Sequence, residues 1–162
     1  MKWARLITIL FVMAGCSVNK SSKTIHPYQG NSIGCGDFIV YKLEEDNTGF
    51  VSIAFNAKSV DLQRFQAYGV GKTDILEIKK KKYKGSISAS ICNDVMTEKP
   101  ELVLEESPRQ GVVEILIAED QIEKAKNNEG YKVTIVLKKV LFEKSAIDYL
   151  RIEDVYVGWL PG

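Results

Sequence analysis

One histidine in 162 residues leaves little room for imidazole chemistry. That residue, His26, stands in the polar stretch SVNKSSKTIHPYQGNSI, which offers no rigid shell for a metal ligand or a general base. Proline is scarce, at 4, which excludes a polyproline or collagen-like chain. Charge of one sign is also missing: Lys plus Arg number 22 and Asp plus Glu 21, so no basic excess awaits nucleic acid. The longest apolar run, Leu6 to Met13, is far short of the roughly 20 residues a spanning helix needs. There is no Cys-x-x-Cys pair, no zinc-type spacing and no nucleophile elbow. What remains is 45% hydrophobic and 27% charged, the balance of one folded domain.

The N-terminus has a separate logic. Lys2 and Arg5 make a positive start, the run Leu6 to Met13 follows, and Ala14-Gly15 supplies small residues before Cys16. Val12-Met13-Ala14-Gly15-Cys16 resembles the lipobox of bacterial lipoproteins, with Met13 where leucine is commonest. The resemblance covers about twenty residues of signal and says nothing of the domain behind it. It implies cleavage between Gly15 and Cys16, a diacylglyceryl thioether on Cys16 and often an acylated amine. Two or three acyl chains anchor stably where one does not, at roughly 0.8 kcal/mol per buried methylene. Ser17, rather than Asp, follows the cysteine, which by the enterobacterial pattern implies the outer membrane, facing the periplasm. The expected organisation is therefore a signal peptide over 1–15, a flexible tether over 16–33 and a single domain over 34–162. Without Lys2 and Arg5 the positive count falls to 20 against 21 acids, so the mature chain is nearly neutral.

Two cysteines remain, Cys35 and Cys92. An even pair in an exported domain points to a disulfide, worth roughly 4 kcal/mol for a loop of this length under the chain-entropy model. Two unpaired buried thiols are the alternative.

The domain reads as strands. Val51, Ile53 and Phe55 alternate with Ser52, Ala54 and Asn56; Ile87, Ala89 and Ile91 alternate with serines; Val113, Ile115, Ile117 and Val133, Ile135, Leu137 repeat the pattern. Weaker runs cover 38–43, 65–70, 75–80, 102–105 and 147–157, separated by Gly, Pro and Asn/Asp turns. The pattern predicts an all-β antiparallel sandwich of roughly 7–9 strands, with a barrel as the alternative. Short helices are expected over Glu119–Asn127 and at Ser59–Arg64. Val133, Ile135 and Leu137 share one phase and Val140 and Phe142 the other, as do Leu150 and Ile152 against Val155 and Val157. Bulges near Lys138-Lys139 and Glu153-Asp154 would reconcile them within a long twisted hairpin; a region buried on both faces is the alternative.

Motifs with chemical promise are incomplete. Gly69-Val70-Gly71-Lys72-Thr73 resembles the end of a P-loop, but Gln66 stands where the first glycine belongs and strand follows, so no nucleotide is expected. Lys79 to Lys82, with Lys84, reads as a charge-protected edge strand, or as a contact for anionic headgroups or polysaccharide. Glu44-Glu45-Asp46-Asn47 lacks the oxygen count of a calcium loop, and Glu105, Glu106 and Glu143 offer an acidic pair only if the fold assembles one. Tyr28, Tyr41, Tyr68, Tyr83, Tyr131, Tyr149 and Tyr156, with Trp159, are candidates for an aromatic strip. Trp159 and Leu160 at the chain end either close the core or form a contact patch. No catalytic residue, metal or cofactor is expected. The expected function is binding, scaffolding or inhibition in the envelope, the partners being the membrane through the lipid and an envelope protein or cell-wall glycan. The alternative is an envelope hydrolase acting on glycans or esters through acidic residues.

Overall fold

In the computed structural model, residues 27–36, 38–55, 64–71, 75–87, 91–92, 100–127 and 129–158 are described. They form two antiparallel sheets. The first has five strands in the order β1 (Ser32–Cys35), β2 (Ile39–Leu43), β3 (Gly49–Phe55), β5 (Leu76–Tyr83) and β6 (Leu102–Glu106). The second has four, β4 (Phe65–Gly69), β7 (Gln110–Leu116), β8 (Tyr131–Leu141) and β9 (Ala146–Val157). The sheets face one another without closing into a barrel, so the chain is an all-β sandwich.

Alternation produces this directly. Val51, Ile53 and Phe55 point inward from β3, and Val113 and Ile115 from β7. They meet Val133, Ile135 and Leu137 of β8 and Leu150, Ile152, Val155 and Val157 of β9 in one core. The expected helix is α1 (Glu119–Lys126), which buries Ile122 against that core; Ser59 to Gln63 of the other lie outside the described residues.

Both bulges are present. Asp154 has φ 51°, and the β8–β9 register gains one residue on β9 between the pairs Val133↔Val155 and Ile135↔Ile152. Lys139 has φ 49°, and β8 gains one residue on β7 between the pairs Gln110↔Leu141 and Val112↔Lys138, so that Lys139 and Val140 face a single residue. That residue is Gly111, at φ 147°, where a Cβ would stand 2.8 Å from Val140 Cα, so only glycine fits. β9 keeps step with β8 through this first bulge, and the whole hairpin changes face together.

Three expectations need correction. The folded body starts before residue 34: Tyr28 is 3% exposed in the core, and β1 includes Ser32 and Ile33 from the stretch read as tether. The signal is weak because β1 has only four residues, and its Gly34 is held against the backbone of β9, with no space for a side chain. The run Ser86–Cys92 forms no strand where it is described. Ile87 instead donates its N–H to Asn47 O and packs with Leu43 and Phe50 on the outer side of the five-stranded sheet. Finally, β5 is no edge strand, because β6 pairs along it.

Cys35 and Cys92 are bonded, with Cα atoms 5.6 Å apart. The bridge ties β1 to the β5–β6 connection beside the second apolar cluster, which includes Ile33 and Ile91 at its margin.

Candidate functional site

The lysine run is neutralised by the topology. On β5, Lys80 and Lys82 face inward and Lys79 and Lys81 outward, following the register with β3. Antiparallel β6 then sets carboxylates beside them: Glu105 lies 3.5 Å from Lys79 and 3.2 Å from Lys81, and Glu106 lies 3.3 Å from Lys80. Lys82 meets Glu44 at 2.5 Å, and Lys84 meets Glu101 at 2.6 Å. No free basic patch is left on this strand.

The same pairing accounts for the acidic candidates. Glu44 is buried against Lys82, and Asp46 accepts from the Thr48 N–H and hydroxyl, which hold its carboxyl below the usual range. No group of three possible metal ligands occurs among the described residues. Glu105 is held low chiefly by Lys81. Glu106 is buried, accepts the Lys144 N–H at 3.2 Å through Oε1, and has only the ion pair with Lys80 at Oε2. Glu143 pairs instead with Arg109. Glu44 and Asp46 share Lys82, while Glu105, Glu106 and Glu143 serve separate cations and form no shared acid pair. Gly69 ends β4 and Gly71 turns the chain at φ 73°, while Lys72 and Thr73 lie outside the described residues.

The tyrosines separate by depth. Tyr28 and Tyr131 are in the core, Tyr68 packs on Phe55, and Tyr41 and Tyr83 flank the outer apolar cluster. Only Tyr149, 52% exposed, and Tyr156, 49% exposed, are large exposed aromatics among them. Both are on β9, opposite Lys138 and Lys132, and so share the outer face of the four-stranded sheet.

That face can be read row by row from the register. Phe65 stands beside Leu116 and Thr134; Ala67 beside Glu114, Val136 and Arg151; Gly69 beside Val112, Lys138 and Tyr149. Lys138 pairs with Glu114 at 2.6 Å, and Arg151 with Glu153 at 2.6 Å. Glu153 first, and Tyr149 second, hold the Arg151 guanidinium firmly charged. Tyr156 lies against the backbone of Gly130, where a side chain would collide with its ring. Near the start of α1 the face deepens into a groove of about 570 Å³, lined by Arg64, Lys132, Thr134, Arg151 and Asp154. Of the described elements outside the sheet only α1 reaches this face, at the groove, and Val136 within it is 2% exposed; the outer side of the other sheet carries Ile87. Phe65, Arg151 and Lys132 are not singled out in the sequence; the odd–even phase of their own strands is the only signal for them.

Cys16 and His26 lie outside the described residues, as do Trp159 and Leu160. Comparison of the chain with known protein families, curated proteins and solved structures finds no match.

Proposed function

We propose that this chain is a lipid-anchored module of the bacterial cell envelope, held at the outer membrane through Cys16, that works by recognition rather than catalysis. The run Val12 to Cys16 supports the anchor. The observation that carries recognition is the open outer face of the four-stranded sheet, with Tyr149, Arg151 and Tyr156 in one row of β9. A cell-wall glycan suits it best. Exposed phenol rings present flat apolar surfaces to the C–H face of a sugar, and Arg151, Thr134 and Lys132 offer hydrogen bonds to its hydroxyl rim.

The test has two arms. Metabolic fatty-acid labelling should mark the wild-type chain and not Cys16→Ser; undiminished label in the mutant removes the anchor. Pelleting with purified peptidoglycan should retain the wild type, and Tyr149→Ala with Arg151→Ala should reduce retention about tenfold or more without moving the melting temperature. Equal retention of both proteins removes the glycan reading.

A further inference from the structure

We propose that a second copy of this chain adds edge to edge along β4, joining two four-stranded sheets into one continuous sheet across a two-fold axis. The four outer strands of the sandwich differ sharply. β1 and β9 shield one another, with Gly158 N–H donating to Gly36 O and Gly34 pressed on the Tyr156 carbonyl. β6 carries Glu105 and Glu106, follows Glu101, and pairs irregularly at Lys82/Tyr83. β4 reads Phe65-Gln66-Ala67-Tyr68-Gly69, with no charge, no proline and no bulge. It has none of the charge, proline or bulge with which sheets discourage edge pairing, and among the described residues no element lies along it.

The register shows which groups β4 offers. Arg64 O accepts from Ile117 N–H and Val70 N–H donates to Gly111 O, so even-numbered residues bond to β7. The N–H and C=O of Phe65, Ala67 and Gly69 therefore point away from β7, to the side of β4 on which no described strand pairs. Two copies related by a two-fold axis at Ala67 would set Ala67 against its own copy and Phe65 against Gly69. Each such pair exchanges two bonds, giving about six in all.

Side chains fit the same register. Phe65, 53% exposed, would lie over the bare Gly69 of the other copy, twice by symmetry, and small Ala67 would leave space at the axis. On the inner face Gln66 would stand opposite Tyr68 of the other copy, in the closer, non-hydrogen-bonded type of pair. Gln66 is 9% exposed; its Oε1 accepts from the Tyr68 hydroxyl of its own strand, and its Nε2 has no hydrogen-bond partner. The opposing Tyr68 oxygen supplies an acceptor for that orphaned donor.

Amide hydrogen exchange on the full chain in mild detergent, followed by sedimentation over about 1 µM to 1 mM, tests the register. The amides of Phe65, Ala67 and Gly69 should gain at least about tenfold protection as dimer forms, while those of Gln66 and Tyr68 stay protected throughout by β7. Ala67→Lys sets like charges face to face at the axis and should abolish both dimer and odd-residue protection. Continued protection of the even amides in that variant shows that it is folded. A monomer at every concentration overturns the proposal. So does a dimer that leaves the odd amides exchanging or survives Ala67→Lys, as micelle sharing would. Odd amides protected in the monomer would mean that the chain covers its own edge, which also overturns it.

Discussion

Tyr28 carries a phenol into the core near Glu44 and Glu106. Burial first, and those two charges next, push its pKa far above the ordinary 10.0. The neutral hydroxyl is thus favoured by folding. A group whose folded pKa is raised contributes fully below its unfolded value and loses that contribution as pH climbs toward the folded one. Denaturant unfolding should therefore show stability falling above about pH 10, with a shallower fall in Tyr28→Phe. Part of the slope should survive, because burial raises Tyr41 as well. Lys139 poses the opposite question, since it is exposed and bears φ 49° without being glycine. The left-handed conformation costs roughly 1–2 kcal/mol for an L-residue. Glycine's extra unfolded-state entropy gives back about 0.5–1 kcal/mol of that. Lys139→Gly should accordingly stabilise by about 0.5–1 kcal/mol and raise the melting temperature by roughly 2–4 °C. An unchanged or lower value would show that Lys139 makes a contribution its backbone geometry conceals.

Elements here are joined by a few cross-connections rather than by ladder bonds alone. The tip of the β8–β9 hairpin reaches the five-stranded sheet through Lys80, whose Nζ donates to Ser145 Oγ at 2.8 Å and lies 5.8 Å from the centre of the Phe142 ring. Glu106 completes the contact by accepting from Lys144 N–H. On the far side of that sheet, the Cys35–Cys92 bridge holds the β5–β6 connection where Ile87 and Ile91 meet Leu43 and Phe50. Losing a native disulfide from a small domain typically costs about 2–5 kcal/mol. Cys92→Ala should fall in this range by denaturant unfolding. Because the bridge also covers apolar surface, the variant should bind a hydrophobic dye before its global transition. A single coincident transition would mean that the covering segment holds without the bridge.

Across the whole molecule, charge is distributed as matched pairs on β5 and β6 instead of as a field. Asp46 and Glu105 have carboxyls held below the usual range, by Thr48 and Lys81 respectively. A depressed folded pKa contributes stability above the unfolded value and loses it as pH falls. The melting temperature should hold from neutral pH to about 5 and drop below about pH 4, with the drop reduced in Asp46→Asn. Both carboxylates are exposed, so added salt should soften the effect. A flat acid profile would show that these pairs do not distinguish folded from unfolded chain.

The sequence alone was enough for the sandwich, for α1 and for the bulges at Lys139 and Asp154, because strand period, helix period and phase change are local properties of the side-chain order. For Cys35 and Cys92 the sequence left a bond and two unpaired thiols both open, and the structure decides for the bond. Tertiary structure decided the rest. Whether Lys79 to Lys82 formed a basic patch depended on which strand came to lie beside them, and β6 arrives from about twenty residues further on bearing Glu105 and Glu106. Whether Tyr28 belonged to a tether or to the core depended on a space left between sheets, which no neighbouring residue reveals. Which tyrosines faced solvent depended on two bulges that each reverse the faces of everything after them, so Tyr149 and Tyr156 come to share one face although their numbers differ in parity. Local patterning selects elements because it acts through the backbone's own period; neighbours across a sheet are selected by chain topology, and the chemistry of this molecule lies in those neighbours.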